Sequence, residues 1–269
     1  VILAVLADIH GNLPALEAVL ADLDQVTPDL VIVNGDLVNR GPSNPEVIER
    51  LWERPWRFTR GNHDDLVLRW AKGDPEIHQL LPRDPAFLVS RWTAEQLSPP
   101  HLEFLASLEP EVFLESWGLR IAHGSPRHFR EGLGERTPPE ERHRILQDYP
   151  SRALVGSHTH VPYQGWWEST LVLNTGAVGT PFDRDPRAHY LLLDPDSLRF
   201  ELRRVPYDQE EALRAFRRSG LLDAGGLAAH IFYEELRLAR PLLLPFYRWL
   251  KAQGAEPEPA TWAAFQEQV

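Results

Sequence analysis

Five times along this chain a short apolar run stops at a small block of potential metal ligands: Asp8-Ile9-His10, Gly35-Asp36, Gly61-Asn62-His63-Asp64, His123-Gly124 and His158-Thr159-His160. Short unbroken apolar runs bounded by polar residues read as buried strands. A fold that aligns those strands gathers oxygen and imidazole donors along one edge of a sheet. The first two runs fix the direction. Val1 to Ala7 reads as a strand, Asn12 followed by Pro14 as a helix entry before the amphipathic stretch Ala15 to Leu23, and Leu30 to Val33 as the next strand. A strand, helix, strand unit closes with a right-handed crossover and a parallel pair. Asp8 and Asp36 then arrive at the same end, where one crevice receives both.

The alternation continues with a helix over Asn44 to Arg54, a short strand over Trp56 to Thr59 and a helix over Asp64 to Ala71. Residues 74–107 are polar, punctuated by proline and helical in pattern, with Leu88, Trp92, Leu97, Leu102 and Leu105 as the positions expected to be buried. From Val112 onward strands return: Val112 to Leu114, Leu119 to Ala122, Ala153 to Val155, Leu171 to Leu173, Tyr190 to Leu193 and Phe200 to Val205 predict a second sheet. Residues 208–269 revert to helix, interrupted at Gly225-Gly226 and Pro241. The expected organisation is a catalytic domain over residues 1–207 and a helical extension over 208–269, packed on the core or on a partner subunit.

Taken singly, each ligand block has a structural alternative. Side chains two apart at a strand end point the same way, so Asp8 and His10 are placed to chelate one cation; the alternative is a capping aspartate beside a turn histidine. Asp36 ends its strand on a carboxylate whose two oxygens suit it to bridge two cations, or to cap a turn. Gly61-Asn62-His63-Asp64 combines an amide oxygen, an imidazole and a carboxylate on one turn that glycine makes possible; its alternative is a polar loop capping the next helix. His158 and His160 repeat the two-residue spacing after an apolar run, which favours shared metal work. His78, His101, His128, His143, His189 and His230 lack such partners in sequence and read as surface or structural residues.

Composition narrows the function. The formal net charge is -11, which argues against a surface that tracks an extended nucleic acid. There is no cysteine, so a metal must rely on His, Asp, Glu, Asn, backbone or water. The start lacks the basic segment and cleavage region of a secretory signal, and the cytoplasm is the expected compartment. Ile231 to Leu250 contains Glu234, Glu235, Arg237 and Arg240 together with two prolines, and no membrane segment is expected.

In order and spacing the five blocks resemble the D-x-H, G-D, G-N-H-D, H and G-H-x-H pattern of the calcineurin-like metallophosphoesterase superfamily. Asp8-Ile9-His10-Gly11-Asn12 and Asn174-Thr175-Gly176-Ala177-Val178-Gly179 look most like its small bacterial phosphodiesterase branch. The resemblance implies an α/β (α+β) fold, a four-layer α-β-β-α sandwich of two mixed sheets flanked by helices, with the C-terminal helices as an extension. It implies two divalent transition-metal ions, one held by Asp8, His10, Asp36 and His160 and the other by Asp36, Asn62, His123 and His158. Mixed imidazole and oxygen donors suit Mn, Fe, Zn, Co or Ni, with Mn favoured. The implied activity is hydrolysis of a phosphodiester in a small nucleotide-like substrate by attack of a metal-bridging hydroxide, with His63 as catalytic residue positioned by Asp64. A phosphomonoesterase of the protein phosphatase kind or a dinucleoside-polyphosphate hydrolase is the alternative, and a non-catalytic scaffold of the same fold is the alternative of a different class. The expected partner is a small phosphate ester; a homo-oligomer is compatible.

This chain departs from the pattern twice. Ser157 stands where the superfamily has glycine before the histidine pair. Gly35-Asp36-Leu37-Val38-Asn39-Arg40-Gly41 resembles the G-D-x-x-D-R-G block of protein phosphatases with Asn39 in place of the acid, which makes Arg40 a candidate phosphate contact; a surface ion pair is its alternative. Substrate identity is expected in the loops around Ser125 to Pro139, in Gln164 to Glu168 and in the helical tail. Trp166-Trp167 reads as core or subunit filling in preference to a platform for a base.

Overall fold

Strand β1 (Leu3–Leu6) is buried along its whole length, as a strand covered on both faces must be. In the computed structural model, which describes residues 1–80, 84 and 86–268, its side chains divide by alternation. Leu3 and Val5 enter a core between two sheets, and Ala4 and Leu6 enter a core beneath helices. Helix α1 (Leu13–Val26) starts where Asn12 Oδ1 accepts the amide of Ala15 at 3.2 Å and buries Ala15, Leu16, Val19, Leu20 and Leu23, one helical face. It returns the chain to β2 (Leu30–Asn34), parallel to β1. Helix α2 (Asn44–Leu51), β3 (Arg57–Thr59) and α3 (Asn62–Ala71) repeat the crossover, with β3 parallel to β2.

Among the described residues three helices follow: α4 (Pro75–His78), α5 (Phe87–Gln96) and α6 (Pro99–Ser107). Leu97 and Leu105 are buried as expected, whereas Leu88, Trp92 and Leu102 are half-buried and Val89 lies deeper. Residues 81–83 and 85 of this segment lie outside the described residues. The second sheet holds β4 (Val112–Leu114), β5 (Leu119–Ile121), β6 (Ala153–Gly156), β7 (Tyr163–Trp167) and β8 (Thr170–Asn174), with α7 (Pro139–Asp148) between β5 and β6. Its strand order is β4-β5-β6-β8-β7. Strands β9 (Ala188–Asp194) and β10 (Arg199–Val205) complete the first sheet, in the order β10-β9-β1-β2-β3.

The sandwich is as expected: Ile145 of α7 packs with Leu133, Leu154 and Val172 on the outer face of one sheet, and α1 and α2 lie on the outer face of the other. Two details differ. The segments around Tyr190 and Phe200 do not extend the second sheet; β9 returns to pair antiparallel with β1, Leu3 opposite Leu193. Both faces of β9 are apolar, so hydropathy does not say which sheet it joins. The expected loop Gln164 to Glu168 is instead largely the edge strand β7, antiparallel to β8. Trp167 is buried there while Trp166 is 61% exposed.

The C-terminal helices are α8 (Gln209–Arg218), α9 (Leu221–Leu238), α10 (Leu243–Gln253) and α11 (Pro259–Gln266). Leu213 and Phe216 of α8 share a cluster with Val89 of α5 and Phe232 of α9, which fastens this layer to the sandwich. Helix α9 breaks at Gly226, where φ is 54°, the interruption expected from Gly225-Gly226. Phe246, Trp262 and Phe265 form a further cluster. Among the described residues no helix is long and apolar enough to cross a membrane.

Ile32 is fully buried between the sheets. Ile32→Ala is expected to lower unfolding stability by about 2–5 kcal/mol, read from the denaturant midpoint; a loss below about 1 kcal/mol would contradict a tightly packed intersheet core.

Candidate metal centre

The ligand edge is where the backbone leaves its ordinary range. Asp8 (φ 53°), His10 (50°), Asp36 (53°), His158 (62°) and His160 (57°) are all left-handed, a conformation that costs non-glycine residues about 1–3 kcal/mol each and persists only when the surroundings fix it. Asp8 and His10 therefore do not meet by strand alternation, since β1 ends at Leu6; a left-handed turn brings them together. The loop after β1 is bonded to the loop after β2 by Asp8 N to Gly35 O at 3.1 Å, His10 N to Asp36 O at 3.0 Å and Gly11 N to Leu37 O at 3.0 Å. Glycine is needed at position 61 because a Cβ there would lie 2.0 Å from Asp36 Oδ1.

Each central carboxylate is half-satisfied. Asp8 Oδ2 accepts the amide of His158 at 3.0 Å and Asp36 Oδ1 accepts that of His63 at 2.7 Å. Asp8 Oδ1 and Asp36 Oδ2 are buried and find no hydrogen-bond partner among the described residues. Both face imidazoles. Asp8 Oδ1 is 3.3 Å from His160 Nε2 and 3.8 Å from His10 Nε2; Asp36 Oδ2 is 3.2 Å from His123 Nε2 and 3.6 Å from His10 Nε2. The far nitrogens of these rings are tied to carbonyls: His10 Nδ1 to Val38 O at 3.3 Å, His123 Nδ1 to Asn34 O at 2.9 Å and His160 Nδ1 to Thr180 O at 2.7 Å. A carbonyl only accepts, so each Nδ1 carries a proton, and in the neutral form of each ring, the form that binds a cation, the Nε2 lone pair faces inward. His10 Nε2 and His160 Nε2 are 3.1 Å apart, two lone pairs that a cation would reconcile.

These donors fit divalent metal. Asp8, His10 and His160 converge as one group and Asp36, His123 and His158 as another, and Asn62 Oδ1 is 3.2 Å from His123 Nε2. The family model for calcineurin-like phosphoesterases matches residues 2–162. The chain belongs to that family. It is 30% identical over 200 residues to the phosphodiesterase YfcE of Escherichia coli K12, covering 71% of this chain and 86% of that protein. It is 28% identical over 227 residues to the uncharacterised protein MJ0912 of Methanocaldococcus jannaschii, covering 78% of this chain and 89% of that one. The crystal structure of a metallophosphoesterase from Sphaerobacter thermophilus superposes with a TM-score of 0.71 at 27% identity, covering 88% of this chain and 98% of the other.

Three expectations about this phosphoesterase need correction. Asp64 does not position His63: its carboxylate is filled by the amides of Asp36 (2.8 Å), Leu37 (2.9 Å), Val38 (3.3 Å) and Gly61 (2.9 Å), so it organises the loop that carries Asp36. Asn39 holds His63 instead, with Nδ2 2.9 Å from His63 Nδ1. The idea that Asp36 presents both oxygens to metal is revised too, because the His63 amide takes Oδ1. Arg40 is not in a surface ion pair; it is 8% exposed, pairs with Glu235 of α9 and lies against Phe182 and Phe232.

Sequence reasoning missed Asn34. It is fully buried, its Nδ2 donates to Ala122 O at 3.0 Å and Ser157 Oγ at 2.8 Å, and its Oδ1 accepts from Thr59 Oγ1 at 2.7 Å. One side chain thus ties the two sheets together beneath the ligands. The departure to Ser157 is explained by the same bond. An amide at the end of an apolar strand was the available signal.

Without metal the electrostatics oppose one another. Burial pushes the His10 imidazole well below its ordinary value, His63 to about 3 and His158 to about 4. Burial would lower His123 as well, but Asp36 and Asp8 override it and raise His123 to about 10. Burial and then the Asp36 charge raise Asp64 to about 7. The depressed histidines remove stability as pH falls below the unfolded value of about 6.5. His123, raised, contributes stability below about 6.5 that is lost as pH rises towards about 10. Asp64 loses stability as pH rises through about 7, but alone it is outnumbered below 6.5 by the depressed histidines. The chelated chain should therefore melt highest near pH ~6.5 in calorimetric scans from acid to alkaline buffer. A melting temperature that climbs steadily from neutral to alkaline pH would contradict this arrangement.

Proposed function

We propose that the chain hydrolyses a phosphodiester in a small nucleotide-like substrate with the help of two divalent cations. Asp8, His10, Asp36 and His160 would hold one, and Asp36, Asn62, His123 and His158 the other. The observation that carries this reading is Asp36 Oδ2, which has no hydrogen-bond partner among the described residues and faces His10 and His123 at once. When bound, the cations would supply an activated water and neutralise the non-bridging phosphate oxygens. The choice of diester is supported by the similarity to a protein named a phosphodiesterase. Manganese is the metal favoured for the mixed donor set.

The protein's own contribution centres on His63. Asn39 Oδ1 accepts the backbone amide of Arg40 at 2.9 Å, which fixes which end of the Asn39 amide is oxygen. Its Nδ2 therefore donates, one hydrogen to Ser90 Oγ at 2.9 Å and the other to His63 Nδ1. With Nδ1 accepting, the proton of the neutral ring sits on Nε2, where it serves as hydrogen-bond donor to the leaving oxygen. An acid at position 39 would instead accept from Nδ1–H, so the ring would need a second proton, as imidazolium, to donate from Nε2. Asn39 thus does for His63 what Asp64 was expected to do.

Hydrolysis of aryl phosphodiesters, monoesters, cyclic nucleotides, dinucleoside polyphosphates and a phosphopeptide by manganese-reconstituted chain, against a chelated control, tests the reaction class. Metal-dependent turnover that favours diesters is expected; turnover that survives chelation would defeat the reading. In the same assay His63→Ala should retain metal and lose about 10²–10⁴-fold in turnover, whereas Asp36→Asn should lose metal and activity together.

A further inference from the structure

Glu235 lies on α9, far along the chain from the ligand blocks, and is 1% exposed. Its Oε2 accepts from the Arg40 guanidinium, and its Oε1 accepts the amides of Leu242 at 2.6 Å and Leu243 at 2.8 Å. Both oxygens are held, so the carboxylate cannot turn away from Arg40. The guanidinium carbon lies 4.3 Å from the Phe232 ring centre and 5.4 Å from that of Phe182. Phe182 in turn stacks on the ligand His160, ring centres 4.5 Å apart. On its other side Arg40 follows Asn39, which holds His63. Arg40 is thus linked to the ligand edge through Phe182 on one side and through its neighbour Asn39 on the other, and its Nε is buried with no hydrogen-bond partner among the described residues.

A phosphomonoester carries nearly two negative charges at neutral pH, and a diester carries one. The metals attract both. What separates the two esters is any further positive charge that the protein offers, and in a buried site such a charge acts with little screening. Arg40 alone would offer it. Arg40 locked to Glu235 is a neutral pair. We propose that Glu235 is a specificity-determining residue: by cancelling the charge of Arg40 beside the ligand edge, it tunes the site to singly charged diesters over doubly charged monoesters. This inference rests on the phosphoesterase reading and gives the C-terminal helices a part in substrate choice.

The test compares full-length, metal-loaded unaltered chain, Glu235→Gln, Arg40→Gln and the double variant, each checked for metal content and melting temperature. Glutamine keeps an oxygen for the amides of Leu242 and Leu243 while removing the charge. Two quantities are read: kcat/KM for 4-nitrophenyl phosphate relative to bis(4-nitrophenyl) phosphate, and calorimetric affinity for inorganic phosphate and for dimethyl phosphate. In Glu235→Gln the monoester-to-diester ratio should rise about tenfold and phosphate should bind about tenfold tighter, with a smaller gain for dimethyl phosphate. In Arg40→Gln both should move the opposite way, and the double variant, again uncharged at this pair, should return to within about threefold of the unaltered chain. An unmoved ratio in Glu235→Gln, or the same shift in the double variant, overturns the inference. Should one single variant fail to fold, the remaining comparison reads the same charge difference, since Arg40→Gln and the double variant also differ only in the Glu235 charge. An unaltered chain that hydrolyses no ester defeats the phosphoesterase reading, and calorimetry then decides the inference alone; phosphate binding to none of the four proteins overturns it.

Discussion

Two buried carboxylates, Asp8 and Asp36, each give one oxygen to a backbone amide and turn the other, without a hydrogen-bond partner among the described residues, toward imidazole nitrogens. Burial of unpaired negative oxygen is costly unless a positive partner arrives. The Nδ1 protons of those imidazoles are donated to the carbonyls of Val38, Asn34 and Thr180, which leaves Nε2 as the atom each ring turns toward the carboxylates. The rest of the edge follows from this arrangement. Left-handed turns at the ligands, the bonded loops after β1 and β2, and the close approach of Gly61 to Asp36 all keep donors converged that would otherwise relax apart.

Much of this was legible in the chain. The ligand blocks at the ends of apolar runs located the edge, and the first crossover followed from Asn12, Pro14 and the apolar face of α1. What stayed hidden shares one cause, the absence of a local signature for long-range pairing. β9 is apolar on both faces and takes its sheet from the open side of β1. β7, with Gly165 and alternating exposure, reads as a loop until β8 supplies its partner. Asn34 looks like the polar end of a strand, and only the second sheet reveals it as a tie between layers.

The role exchange between Asp64 and Asn39 illustrates a further limit. Adjacency to His63 made Asp64 its natural partner, yet the start of α3 turns the Asp64 carboxylate back onto backbone amides. Asn39, distant in sequence, reaches the ring because Asn39 and Arg40 are both left-handed. The same turn delivers Arg40 to α9. Loop and C-terminal helices are therefore one electrostatic unit around the site, and chemistry assigned to the ligand edge alone would miss the charge that Glu235 contributes.

We propose that the oxygens of Asp8 and Asp36 left without hydrogen bonds among the described residues receive cations. Anomalous diffraction from crystals of manganese-loaded chain tests it most directly. Two peaks flanking Asp36 are expected, one beside His10 and His160 and the other beside His123 and His158. Peaks elsewhere on the protein, with none at Asp36, would contradict it.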